Sequence, residues 1–393
     1  MPPSPHVDVA VVGGGIAGVS AAWWVAQSGA SVAVIEREPH AGLHATGRSA
    51  AVLSETSGHP LVCALASASR AFFEHPPVGF AFEALSHPKG LVWIGREDDT
   101  GALDDIAAMG ARHRNDVRRL DVAQARALLP GVTIGALSGG AVHEPDALGI
   151  DVTAMVDGCL RGLRPSGGHL HTSAEVIFGL RRRERWVLDL GGDRLEASVV
   201  INAAGAWGDV VAERCGVAPL GLRSLHRTAA VAVVPDDRAQ VARTWPLVMD
   251  VAGRGYFEPV ADGLLVSPAD EQPSSPCDAQ AQPHDVARAL EQIGAMIGSP
   301  LGPVTRAWAG LRTFTRDRLP AVGRDTNVEG FVWLVGQGGA GIKTAPVLGA
   351  LAAAAALGTV PPTLTATGGT VDLSALDPSR FGGRRPSASS LGR

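Results

Sequence analysis

Residues 8–38 read DVAVVGGGIAGVSAAWWVAQSGASVAVIERE, and this stretch decides the fold. An apolar run ending at Val12 breaks at Gly13-Gly14-Gly15-Ile16-Ala17-Gly18. Helix-forming residues follow as far as Gln27, then a turn at Ser28-Gly29 and a second apolar run, Val32 to Ile35, closed by Glu36. The pattern predicts strand, helix, strand. Gly13 allows the tight turn off the strand, Gly15 lets the backbone approach a pyrophosphate, and Gly18 lets the helix pack closely on the sheet. At Ile16 and Ala17 the helix start presents unpaired N–H groups and a positive dipole end to the phosphates. Glu36 stands where an acid binds ribose hydroxyls, and its charge would repel a 2′-phosphate. A glycine-rich turn without a ligand is the alternative, but strand, helix, second strand and acid all fall in place for an adenine dinucleotide.

The chain has 393 residues, too many for one compact core and enough for two domains. Hydrophobic residues make up 46% and charged residues 19%, which supplies ample material for buried cores. A net charge of −5 gives no nucleic-acid or membrane footprint, and Arg181 to Arg183 reads as a solvated turn. Cys63, Cys159, Cys215 and Cys277 form no C-x-x-C pair, so neither a disulfide framework nor a metal site is expected. No signal peptide and no membrane span is legible, so a soluble cytoplasmic protein is expected. Of 34 basic residues only two are lysines, Lys89 and Lys343.

Along the chain, Arg37 to Ala51 is a loop of glycine, hydroxyl and small residues leading into a helix start. It reads either as cofactor contact or as a plain surface loop. Strands are expected at Leu91–Ile94, Val176–Leu180, Trp186–Leu190, Val199–Ile201, Ala229–Val234, Leu247–Val251, Tyr256–Val260, Leu264–Ser267 and Phe331–Val335. Helices are expected over Thr100–Arg114, over Asp121–Leu129 up to Pro130-Gly131, from the Asp151 cap to Leu163, over Asp285–Ile297, and from near Ile342. Pro268 to Pro283 reads as an exposed loop, and Arg380 to Arg393 as a disordered tail.

Several motifs in order carry a resemblance: the fingerprint, H-x-T-G-R-S-A-A at His44 to Ala51, S-R-A-F-F-x-x-P-P at Ser69 to Pro77, N-A-A-G-A-W at Asn202 to Trp207, P-L-G-L at Pro219 to Leu222, W-A-G-L-R at Trp308 to Arg312, and G-Q-G-G-x-G-I at Gly336 to Ile342. Together they resemble the D-amino-acid oxidase superfamily of FAD-dependent amine oxidoreductases, and within it the bacterial D-arginine dehydrogenases. The resemblance implies an α/β fold with a Rossmann-like FAD-binding domain and a discontinuous antiparallel-sheet substrate domain. It assigns residues 1–79, 149–221 and 304–378 to the first, 80–148 and 222–303 to the second, and 379–393 to a tail. It also implies noncovalent FAD held by Gly13, Gly15, Ile16, Ala17, Gly18, Glu36 and Arg37. Further cofactor contacts are implied at Thr46, Arg48, Ser49, Ala50 and Ala51, at Val176, Ala204, Gly205 and Trp207, and at Gly338, Gly339, Gly341, Ile342, Lys343 and Thr344. His44 carries a caution, because some relatives attach FAD covalently through a histidine in this region.

For the chemistry, the resemblance implicates Arg312 and Arg227 as the forks for a substrate carboxylate. It places Tyr256, the chain's one tyrosine, as a hydroxyl donor to the same group and Gly339 at the reacting edge. Other readings stay open at each position: a structural salt bridge for either arginine, a half-buried sheet aromatic for Tyr256, and for Lys343 an amine reaching solvent instead of lying beside the flavin. The implied reaction is hydride transfer from an amino acid to flavin N5, then hydrolysis of the imine to the 2-oxo acid. Gly90, Val52 and Ser57 stand where a D-arginine dehydrogenase carries an acid, a histidine and a tyrosine, so a smaller or more apolar D-amino acid is expected. The alternatives are a secondary amine such as an N-methyl or glycine-type amino acid, a 2-hydroxy acid, or a flavin-binding subunit of a larger complex. The electron acceptor is expected to be oxygen or a quinone or dye, and the protein a monomer or homodimer.

Overall fold

The computed structural model describes residues 6–113, 116–366 and 369–382. Strand His6–Val12 is followed by helix Ile16–Gln27 and strand Val32–Ile35, which pairs in parallel with the first strand. On its other edge the first strand pairs in parallel with Arg194–Asn202. That nine-residue strand then divides its far edge. Residues 194–197 meet the antiparallel strand Arg185–Asp189, and residues 200–202 meet the parallel strand Phe331–Val335. The first strand is apolar on both faces because both are covered. Val9 and Val11 pack against helices Ile16–Gln27 and Gly341–Leu357, while Ala10 and Val12 pack with Trp186, Phe331 and Trp333. Burying such a side chain stabilises the fold by about 1.5–3 kcal/mol.

A second sheet has the order Pro273–Ser274, Arg223–Ala232, Gly263–Ser267, Tyr256–Val260, Leu247–Asp250, Leu91–Ile94, Ala141–Glu144, Arg118–Leu120. Its neighbours run antiparallel except Leu247–Asp250 against Leu91–Ile94, which are parallel. One face packs Phe257, Leu264 and Val266 onto Ile293 and Ile297 of helix Pro283–Ile297. The other packs Tyr256, Trp93 and Leu265 with Ala50, Val52 and Trp308. Tyr256 and Phe257 therefore point to opposite faces, as the strand pleat requires.

The structure corrects several sequence expectations. No helix begins after Arg48: Ala51 has φ 48°, and the chain enters the short strand Val52–Leu53, so the next helix is Pro60–Glu74. Helix Thr100–Gly110 stops at Gly110, and Arg114 lies outside the described residues. Strand Val304–Phe314, expected to open the last stretch of the first unit, pairs along its length with Arg223–Ala232 and belongs to the second sheet. The loop after Ser267 is not simply exposed, since Asp270 and Ala279 are buried. The expected tail begins within a 3₁₀ turn, Pro378–Phe381, with Phe381 buried and Arg380 paired to Asp317 at 2.8 Å; residues 383–393 lie outside the described residues. The capping expectation agrees with the structure at Asp151, whose carboxylate accepts from Ala154 N at 2.8 Å; Asp121, read as the first helical residue, is instead the cap of its helix and accepts from Gln124 N at 2.8 Å.

Candidate active site

The carboxyl ends of the first strand and of Arg194–Asn202 open onto a cleft that runs to the second sheet. At one end the cleft is made by backbone. Gly13 has φ 112°, and a Cβ there would lie 2.5 Å from the Ala203 carbonyl oxygen. A Cβ on Gly18 would lie 1.9 Å from the Gly13 oxygen, so the helix sits on the turn as only glycine permits. Gly15 precedes the helix in extended conformation with no side-chain cap, leaving the helix-end N–H groups at the cleft, although Ile16 N donates to Thr46 Oγ1 at 3.0 Å. Glu36 is buried, and its two carboxylate oxygens accept from Gly14 N at 2.6 Å and Glu38 N at 2.9 Å. Each oxygen keeps capacity for a hydroxyl donor.

Gly13, Gly15, Ile16, Ala17, Glu36, Arg37 and Thr46 all line the cleft, whereas Gly18 sits behind it. Val176, Ala204, Gly205 and Trp207 form the facing wall, where the Arg37 guanidinium lies 4.2 Å from the Trp207 ring and the His44 ring 4.8 Å from it. Asn202 Nδ2 donates to Gly208 O at 2.7 Å and holds this turn in shape. His44 pairs with Glu38 at 2.9 Å.

A second uncapped helix start closes the cleft from the far side. Gly338, Gly339, Gly341 and Ile342 line it, and Gly338, at φ 56°, leaves no room for a Cβ, which would stand 2.2 Å from Phe314. Two glycine cradles and two helix starts facing one cleft fit a flavin dinucleotide: its phosphates at the first, and the edge of its ring that gains negative charge at the second.

Lys343 and Thr344 do not line the cleft. Lys343 is buried and donates to Ser54 O at 3.0 Å and Ser57 O at 2.7 Å, which corrects the expectation of an amine beside the flavin ring. Burial pushes its ammonium below the ordinary lysine range. Thr344 bonds back to Ala340 O at 2.8 Å. Ala51 is likewise behind the wall, while Ser49 and Ala50 line it. Arg48 lines the cleft, but its guanidinium is engaged by Asp278 Oδ1 at 2.5 Å and the carbonyls of Ala279 and Ala309, both at 2.9 Å. That clasp draws Cys277 and Ala279 into the wall, two residues that no spacing in the sequence singled out.

The substrate end is made by side chains. In the antiparallel pairing, Leu225 stands opposite Arg312 and Arg227 opposite Gly310, so Arg227 and Arg312 are diagonal neighbours on one face. Both line the cleft with Tyr256. Arg227 is held by Asp270 O at 2.9 Å and Glu271 Oε1 at 3.2 Å; burial and the neighbouring Arg312 push its guanidinium down to about 10. Arg312 is half-buried, has no ion pair among the described residues, and sits where a Cβ on Gly339 would lie 3.2 Å from its guanidinium. A pair of guanidiniums, one of them uncompensated, makes an anion site. Among the described residues no cluster of side chains suits a metal ion, and no helix is long and apolar enough to cross a membrane.

The fold and this site define a flavin-dependent oxidoreductase. The chain belongs to the DAO family of FAD-dependent oxidoreductases, whose model matches residues 8–355. It is similar to mouse FAD-dependent oxidoreductase domain-containing protein 1, at 24% identity over 406 residues, covering 88% of this chain and 80% of that protein. Its fold matches glycine oxidase from Geobacillus kaustophilus (TM-score 0.81, 21% identity, 96% of this chain and 99% of that one). It also matches L-proline dehydrogenase from P. horikoshii (TM-score 0.82, 18% identity, 96% and 98%).

Proposed function

We propose that this protein oxidises the carbon–nitrogen bond of a small amino acid, of D configuration and with an uncharged side chain, through noncovalently bound FAD. The observation that carries the reading is Arg312, a cleft-lining guanidinium with no anionic partner among the described residues, diagonal to Arg227. A bound carboxylate supplies the missing charge, and the diagonal pair fixes two of its oxygens. Tyr256, buried at the same wall, donates its O–H to that group. FAD, when bound, supplies the two-electron acceptor. Held by its carboxylate, the substrate presents its α-carbon between the wall of Ser49 and Ala50 and the turn at Gly339. The N–H groups at the start of Gly341–Leu357 favour negative charge nearby. The amine binds neutral, so no general base is invoked, and the resulting imine takes up water to give the 2-oxo acid and ammonia. Catalysis is then mostly positioning and electrostatics.

A secondary amine is the second reading, supported by the fold likeness to a dehydrogenase of proline, itself a secondary amine. Anaerobic mixing of the yellow protein with matched pools of D-, L- and N-methyl amino acids, followed by flavin absorbance, tests both. Bleaching by the D pool is the expected result. Bleaching by the N-methyl pool alone moves the substrate to the second class, and no bleaching by any pool overturns amino-acid oxidation.

A further inference from the structure

We propose that the ion pair between Lys89 and Glu258, set behind the cleft wall, tunes the side-chain specificity of the cleft by neutralising an acid that would otherwise draw in a cationic substrate end; this rests on the amino-acid reading above. Lys89 Nζ lies 2.5 Å from Glu258 Oε2 and donates to Ala50 O at 3.2 Å. Ala50 lines the cleft. Glu258 lies two residues beyond Tyr256 in an extended strand, so both project from the same face, and Tyr256 lines the cleft. The pair therefore stands directly behind the wall that Ala50 and Tyr256 form. It is shielded from water, with 18% of the Lys89 side chain and 4% of the Glu258 side chain exposed.

An acid at this depth would draw in the ammonium or guanidinium of a basic amino acid. The chain answers it from within. The residue type supports the assignment, because only two of the 34 basic residues are lysines, and here one meets a carboxylate and a carbonyl as a compact point cation with three donors. Burial raises the Glu258 carboxyl while Lys89 holds it down, so the charge balance of this wall depends on the lysine. With the pair intact, a short uncharged side chain meets Ala50, behind which Val52 and Trp308 pack, and a cationic one approaches a like charge behind that wall.

The test uses FAD-loaded protein and two probes of equal length, pentanoate and 5-aminopentanoate, with dissociation constants read from the perturbation of flavin absorbance. The natural chain is expected to favour pentanoate by about tenfold or more. Lys89→Ala is expected to shift the ratio at least about tenfold toward 5-aminopentanoate, and Lys89→Ala combined with Glu258→Gln to abolish that shift. An unchanged ratio in FAD-loaded Lys89→Ala would overturn the proposal. If that variant does not load FAD, Glu258→Gln alone decides: it frees the ammonium and should raise the affinity for glutarate over pentanoate by about tenfold, and no change overturns the proposal. Because the readout is binding, a protein that shows the expected selectivity yet oxidises no amino acid would refute the proposed reaction and leave the ion-pair inference standing. Failure of every carboxylate to perturb the flavin overturns both.

Discussion

The two ends of the cleft are built from different materials. At the dinucleotide end, Gly13, Gly15 and Gly18 shape the wall by lacking side chains, and backbone N–H groups face the ligand. At the other end, Arg227, Tyr256 and Arg312 come from three strands and act through their side chains. The first kind of site tolerates no added atom and depends on shape rather than on charge balance. The second tolerates change in shape but depends on charge balance, because two guanidiniums share one face. Substitutions at the first end should therefore remove the cofactor, and those at the second should remove the substrate while leaving the protein yellow.

The sharpest break is expected from Gly13→Val. Its Cβ would collide with the Ala203 carbonyl, and φ 112° is a conformation β-branched residues avoid. The cost is about 3 kcal/mol or more, and the purified protein should lack flavin absorbance. Next, Arg312→Met should keep FAD but lower kcat/KM on the best amino acid by about 100-fold, since it deletes two charge-assisted hydrogen bonds. Stopped-flow flavin reduction measures this, and an unchanged rate would remove Arg312 from the carboxylate site.

Smaller effects test residues outside both ends. Lys343→Met leaves the carbonyls of Ser54 and Ser57 without their donor and should cost about 2 kcal/mol in denaturant unfolding. FAD content should stay unchanged, and flavin loss would restore Lys343 to the cofactor site. The smallest effect concerns Asp317. Burial opposes its ionisation, but hydrogen bonds from Arg380, Thr315 and Leu319 N outweigh that and pull its carboxyl down to about 2 from an ordinary 3.8. A depressed carboxylate stabilises the folded state above the unfolded value, and that stability is lost as pH falls from about 4 through about 2. With 37% of the side chain exposed, screening limits the term to less than about 1 kcal/mol. Asp317→Asn should lower the melting temperature slightly at pH 7 and not at all near pH 2, read by circular dichroism.

The glycine turn and Glu36 of the dinucleotide end were legible in the sequence because they lie within residues 8–38 and the turn answers to local backbone geometry, whereas the facing wall of Val176, Ala204 and Trp207 comes from far along the chain. The Asp151 cap was legible for the same local reason, since it reaches only three residues ahead. Lys343 shows the limit. Its place in a glycine-rich stretch pointed to the flavin, yet a helix start presents side chains all round, and packing turned this one toward Ser54 and Ser57. The loop after Ser267 shows another, since its composition reads as solvent-exposed while Arg48, 230 residues earlier, holds Asp278 against the cleft.

By itself, then, the sequence determined the strand–helix–strand unit, the glycine turns and the class of cofactor, because these follow from backbone sterics over a few consecutive residues. Only the tertiary structure decided that Arg312 is diagonal to Arg227, that Lys89 neutralises Glu258 behind Tyr256, and that strand Val304–Phe314 serves the second sheet. Those depend on register and packing between segments far apart in the chain. A one-residue slip in any of these strands would turn the same side chains to the opposite face.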